Sequence, residues 1–219
     1  MVTFKDIVND VSIKEYIRQA DESLLSIGYT EHSFAHVTKT ANNVRYILKT
    51  LGYSERYVDI ACIAAYMHDI GNVINRVDHS QSGAMMAFRI LDNMGMPAEE
   101  LSQIITAIGN HDEGTGTPVN PIAAALILAD KSDVRRTRVR NVDLATFDIH
   151  DRVNYSVTDT KLQIDEDKID IKLIMTIDTK YSSVMDYFEI FLERMIMCRK
   201  AAERLGLNFR LVINGHHLL

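Results

Sequence analysis

Ala61-Cys62-Ile63-Ala64-Ala65-Tyr66-Met67-His68-Asp69-Ile70-Gly71 is the stretch whose reading decides the fold. An almost uninterrupted apolar run ends in an imidazole and a carboxylate. Its apolar residues cover nearly every side of a helix predicted over about Glu55 to Ile70, which marks a central helix surrounded by others. Burying Asp69 without a partner is expensive, and a metal ion that takes both groups as ligands removes the cost. Adjacent residues on a helix point about 100° apart. An ion shared by His68 and Asp69 therefore lies between this helix and its neighbours, and the other ligands must come from those neighbours.

Working outward, the first two thirds of the chain read as helices. Ile13, Ile17, Leu24 and Ile27 space a helix that Gly28 stops. A second runs from about Thr30 to Leu51, with Val37, Val44, Ile47, Leu48 and Leu51 as its apolar stripe and Gly52 after it. Ser80 to Met94 and Pro97 to Asn110 form two more, with Pro97 in a first helical turn. Gly114-Thr115-Gly116-Thr117-Pro118 is a loop, and Pro121 opens a helix that is expected to reach at least Asp133.

Near Asp151 the period changes to two. Val153, Tyr155 and Val157 suggest a strand, as do Ile169, Leu173 and Ile177, with a polar turn at Asp165-Glu166-Asp167-Lys168 between them. A helix over about Ser182 to Leu205 carries Val184, Phe188, Phe191, Leu192, Met195 and Ile196 on its apolar side. Leu207 to Ile213 alternates again. The expected fold is mainly α, a helical bundle over residues 1–150 with a small β-β-α-β unit over residues 151–219 packed on it (α+β overall).

The other candidate ligands fall on separate helices: His36, His79, His111 and Asp130. Singly, each histidine reads as a hydrogen-bonded structural or surface residue. Asp130, however, follows Ala123-Ala124-Ala125-Leu126-Ile127-Leu128-Ala129, a second apolar helix closed by a carboxylate. Two such helices in one small chain call for a shared cation. His32 precedes His36 by one helical turn and shares its face, as an outer ligand, a proton carrier or a surface residue. Lys131, Arg135 and Arg138 share a face if their helix continues, and cations match phosphate oxygens. The alternative is a solvated face paired with Asp133, Asp143 or Asp148. His150, His216 and His217 stand outside this scheme.

His36-Val37-Thr38-Lys39-Thr40-Ala41, Met67-His68-Asp69-Ile70-Gly71-Asn72 and Leu128-Ala129-Asp130-Lys131-Ser132-Asp133 resemble the HD-domain metal-dependent phosphohydrolases. The resemblance spans about residues 30–135. It implies an HD-type helical bundle in which His36, His68, Asp69 and Asp130 bind one divalent ion. His79-Ser80-Gln81-Ser82-Gly83-Ala84 and the segment from Asn110 to Pro118 are similar to segments of two-metal members. They imply a second ion held by His79 and His111, with Asp69 as the bridge; Asn110 beside His111 is read as a neighbour of the site, and Asp112 and Glu113 as supporting or proton-transfer groups or else solvated loop carboxylates. One or two ions (manganese, iron, magnesium, nickel, cobalt or zinc) then activate a water to attack phosphorus, with Lys131 stabilising the phosphoryl oxygens. The substrate class is a nucleotide or other small phosphate ester. The chain departs from the family pattern where Asn110-His111 replaces paired histidines and Gly116-Thr117-Pro118 replaces Gly-Tyr-Pro, which argues against a cyclic dinucleotide as substrate. A smaller HD branch that holds two irons and activates oxygen, and a nucleotide-sensing module without turnover, are the alternatives.

The 219 residues are 47% hydrophobic, enough for a sizeable core. A net charge of −6 argues against extended nucleic acid as partner. Cys62 and Cys198 sit in separate apolar helical patterns and read as buried thiols. No signal peptide or membrane span is expected, which suggests the cytoplasm. The C-terminal unit is left as a surface for a homodimer or another partner.

Overall fold

A computed structural model describes all 219 residues. Helices α1 (Phe4–Asn9), α2 (Val11–Ser26), α3 (Phe34–Thr50), α4 (Glu55–Met67), α5 (His79–Asn93), α6 (Ala98–Gly109) and α7 (Pro121–Lys131) form the bundle. Polar caps fix most of their starts: Thr3, Asp10, Ser33, Ser54 and Asn120 each accept a hydrogen bond from a first-turn backbone N–H. Gly28 and Gly52 take positive φ just past α2 and α3, as helix stops do.

The centre is α4. Its residues Ile60 to Met67 are buried without exception, and so are Ile122 to Ala129 of α7. Burying each Ile or Leu side chain is worth roughly 1.5–3 kcal/mol. The alanines have a second use. Ala61, Ala64 and Ala65 of α4 and Ala123, Ala124, Ala125 and Ala129 of α7 lie in the core where α3, α4, α6 and α7 pack together. Small side chains bring helix axes to the short end of the usual 8–10 Å range. That close approach lets ligands from different helices meet.

Beyond the bundle come α8 (Ile149–Ser156), β1 (Val157–Ile164), β2 (Asp170–Ile177), α9 (Val184–Arg204), β3 (Asn208–Ile213) and the two-residue β4 (His216–His217). The sheet order is β1-β2-β3-β4, antiparallel except for the parallel β2–β3 pair that α9 connects. One hydrophobic cluster runs unbroken from Val2 to Ile213, and α9 packs directly on α7. No helix is long and apolar enough to cross a membrane.

The structure corrects several expectations. Residues Val153 and Tyr155 are in α8, not in a strand; Asp148 caps that helix, and β1 begins only at Val157. Pro97 is the N-cap of α6 rather than its first residue. The α7 helix stops at Lys131 with Ser132 as C-cap, so Lys131, Arg135 and Arg138 do not share a helical face. Leu192 and Ile196 are exposed, while Phe191 and Met195 are buried as expected, joined by Tyr187 and Cys198. The short helix α1 and the strand β4 carry too few residues to show a period.

Gly71 lies in the 3-10 turn Ile70–Val73 against α5. A Cβ there would sit 2.0 Å from the His79 carbonyl oxygen and 2.5 Å from the Gly83 nitrogen, both backbone atoms. Gly71→Ala is expected to cost about 3 kcal/mol, the upper end of ordinary overpacking, read from urea unfolding midpoints. Gly109→Ala is the control, since its nearest contact would be 3.7 Å away at the Ala84 methyl. Equal stability of the two variants would remove the close-packing account of this turn.

Candidate metal centre

The end of α4 sets the centre. The helix stops at Met67, three residues earlier than the helix expected to Ile70, with His68 as its C-cap. Asp69 then leaves the helix at φ −97° and ψ 0°, the sparsely populated bridge region where many active-site residues sit. Asn72 holds it there, its Nδ2 donating to the Asp69 carbonyl (2.9 Å) and to Oδ1 (3.1 Å). The pair is therefore not splayed around a helix, and the two Asp69 oxygens face two groups of donors.

On one side, His36 Nε2 and His68 Nε2 stand 3.4 Å apart. Asp130 Oδ1 lies 3.2 Å from the first and 3.7 Å from the second. Asp69 Oδ2 lies 3.6 Å and 3.2 Å from the same two nitrogens. On the other side, His79 Nε2 and His111 Nε2 stand 3.2 Å apart, with Asp69 Oδ1 at 3.6 Å and 3.8 Å. All six side chains are buried or nearly so.

The opposite ring nitrogens settle the tautomers. His36 Nδ1 donates to Asp133 Oδ2 (2.8 Å), His68 Nδ1 to the Ala65 carbonyl (2.8 Å), His79 Nδ1 to the Arg76 carbonyl (3.0 Å) and His111 Nδ1 to the Ile108 carbonyl (2.7 Å). Carbonyl and carboxylate oxygens only accept, so each Nδ1 carries the proton. That leaves the four Nε2 atoms and the carboxylates of Asp69 and Asp130 facing one another, and a cation arriving there takes the place of any proton on Nε2. Donors bound about 2 Å from a common ion are necessarily about 3–4 Å from each other, as these are. The donor set fits a divalent cation, or two sharing Asp69, and mixed imidazole and carboxylate ligation suits the borderline transition metals.

Electrostatics point the same way. Burial opposes charge on His68, yet Asp69 and Asp130 raise its pKa to about 10. Burial likewise opposes ionised Asp69 and Asp130, but His68 and His111 together for Asp69, and Lys131, His36 and His68 together for Asp130, hold both well below the usual carboxylate range. For His79, burial, His111 and Arg76 together lower the pKa to about 4. The site is built to attract positive charge. Arg76 Nη1 already lies 3.3 Å from His79 Nε2, so the second donor group has a cation of the protein's own beside it.

The centre opens into a cavity of about 510 Å³ with a mostly polar lining. His32 lines it, but not from a helix as its spacing suggested: it precedes the N-cap Ser33, packs edge-on against His36 and anchors Nδ1 on the Thr30 carbonyl (2.7 Å). Asp112 lies 3.9 Å from His79 Nε2. Asn110 is turned away, its Nδ2 donating to the Thr106 carbonyl, and is not a support of the centre. Arg135 is not a cavity residue either; it pairs with Glu31 and Asp133. Lys131 and Arg138 do line the cavity, as does His150, which sequence reasoning had set aside.

Four contributors went unassigned in sequence: Asp133 behind His36, Asn72 behind Asp69, Arg76, and Arg194 from α9. Asp133 is fully buried among His36, Lys39, Arg135 and Arg138. Its place three residues after Asp130, beyond a helix end, carried no periodic signal.

Hydrogen bonds behind a ligating histidine typically control 10–100-fold in metal affinity. Asp133→Asn is expected to weaken manganese binding at the Asp130 side by about that factor. Arg76→Ala is expected to raise affinity at the His79–His111 side, changing a titration with one strong and one weak step toward two similar steps. Unaltered isotherms for both variants would contradict these placements.

The HD domain family model matches residues 33–189, well over half of the chain and further toward the C-terminus than the motifs alone reached. An uncharacterized protein of Methanocaldococcus jannaschii is 24% identical over 198 residues, which cover 79% of this chain and 76% of that protein. A solved structure, the predicted HD superfamily hydrolase from an uncultured Thermotogales bacterium, shares 24% identity over 57% of this chain and 67% of its own, with a TM-score of 0.44. With the family model covering α3 through the start of α9, the chain belongs to the HD domain family.

Proposed function

We propose that the protein is a metal-dependent phosphohydrolase acting on a nucleotide or another small phosphate ester. The observation that carries this reading is the Asp69-bridged pair of donor groups opening into one cavity with Arg76, Lys131, Arg138 and Arg194 in its wall. Divalent ions held there would supply a Lewis acid for a phosphoryl oxygen and a water of lowered pKa. The cavity volume falls in the range of small-molecule sites, and its wall includes the aromatic side chains of Tyr29 and Phe191 beside the cations.

The chain's own residues divide the remaining work. Lys131 donates to Asp130 Oδ2 at 2.8 Å and lies 3.3 Å from Glu113. Burial opposes its charge, but Asp130 and Glu113 raise its pKa, so it stays an ammonium. An ammonium with three N–H donors and two partners keeps one for a phosphoryl oxygen. His32, with Nδ1 committed to Thr30, leaves Nε2 to accept a hydrogen bond in the cavity. Burial and the nearby Arg138 hold its pKa well below the ordinary value, so it serves as a neutral acceptor.

The six-donor arrangement also supports a diiron oxygenase, and metal analysis separates the two. Purified protein is assayed with a panel of nucleotides and phosphate esters after elemental analysis. Phosphate release with manganese, magnesium, nickel or cobalt is expected, with metal content and turnover both lost in Asp69→Ala and kcat/KM reduced about 100-fold in Lys131→Met. Oxygen uptake with bound iron and no phosphate release would transfer the assignment to the oxygenase. Full activity of Asp69→Ala would defeat both.

A further inference from the structure

Arg194 reaches the cavity from α9, in the C-terminal unit. Its Nε donates to Glu113 Oε1 at 2.7 Å, and its guanidinium carbon lies 4.2 Å from the centroid of the Phe191 ring. One edge contact and one stacked face fix the plane of the group. Both terminal nitrogens, Nη1 and Nη2, make no hydrogen bond within the chain. The cavity's other guanidinium groups are more committed. Arg138 donates through Nε and Nη1 to the main-chain carbonyls of Glu31 and Asp133, and Arg76 donates to Asn72 and His79.

Glu113 is shared between Arg194 and Lys131, so two cations flank one carboxylate on this wall. Burial opposes the charge on Glu113, but Lys131 and Arg194 lower its pKa to about 2. The carboxylate therefore stays ionised and keeps both cations in place. A planar fork of two free N–H₂ groups matches two oxygens of one phosphate, and a fork already immobilised loses little freedom on binding.

We propose that Arg194 is the substrate-binding residue that selects a phosphate monoester: its Nη1 and Nη2 take two non-bridging oxygens, and the remaining N–H of Lys131 takes the third. A monoester has three such oxygens and a diester only two, so a diester leaves one of these donors unpaired. This rests on the phosphohydrolase reading for turnover, but the anion fork itself does not require hydrolysis.

The test uses the full chain loaded with manganese. Inorganic phosphate binding is measured by calorimetry for the native protein, Arg194→Met and Arg194→Lys, and p-nitrophenyl phosphate is compared with bis(p-nitrophenyl) phosphate as substrate. Losing the charged bidentate contact is expected to raise the phosphate Kd and the monoester KM at least about tenfold in Arg194→Met, with melting temperature and bound manganese unchanged. The native preference for monoester over diester should shrink in the same variant. If Arg194→Met does not fold, Arg194→Lys, which keeps charge but not the fork, is read for the same loss. Phosphate binding within twofold of native in a folded variant would overturn the fork. Equal or better turnover of the diester by the native protein would overturn the monoester assignment. Phosphate binding that depends on Arg194 with neither ester hydrolysed would uphold the fork and reject the hydrolase.

Discussion

Four imidazole Nε2 atoms and two carboxylates crowd together at the heart of this molecule. Such an assembly is costly in a medium of low dielectric, where unpaired charge is far more expensive than in water. The protein holds it together from behind. Each Nδ1–H is tied to a backbone carbonyl or to Asp133, so every ring is locked with Nε2 inward. Two of those carbonyls, Ala65 of α4 and Ile108 of α6, lie in the last turns of their helices, where carbonyls lack an intrahelical partner. The helix ends that make the ligand cage are thus also satisfied by it.

The bundle's packing serves the same requirement. Alanine-lined α4 and α7 bring His36 of α3, His68 at the end of α4 and Asp130 of α7 to within 3.7 Å of one another. At the other side, Gly71 lets the turn after Asp69 lie directly on the backbone of α5, which carries His79. Asp78, just before it, adopts a left-handed backbone at φ 57°, a conformation uncommon outside glycine. Local backbone cost is accepted on both flanks of the site, and the buried apolar cluster around it supplies the stability to do so.

The C-terminal unit is joined to this centre by chemistry as well as by packing. The helix α9 lies on α7 and extends Arg194 to Glu113, which in turn meets Lys131 and through it Asp130. A chain of alternating charges therefore links the α+β part to Asp130 of the donor cluster. The fold's two parts share one hydrophobic cluster and one cavity.

The sequence by itself determined the helical class, the central α4 and the carboxylates that close two apolar helices, because each is written in local periodicity or in a polar residue that ends an apolar run; the remaining histidines were legible through the resemblance of their segments. His36, His68, Asp69, His79, His111 and Asp130 lie together in the structure, each with a side-chain atom 3.2 Å from another of the set. Only the tertiary structure decided where helices stop and what stands behind the ligands. Val153 and Tyr155 alternate like a strand, yet the cap at Asp148 makes them helical; Lys131, Arg135 and Arg138 have helical spacing, yet the chain turns at Ser132. Asp133, Asn72 and Arg194 become partners of the site through turns and through a helix distant in sequence, and no one-dimensional pattern encodes a contact that depends on the path of the chain between them.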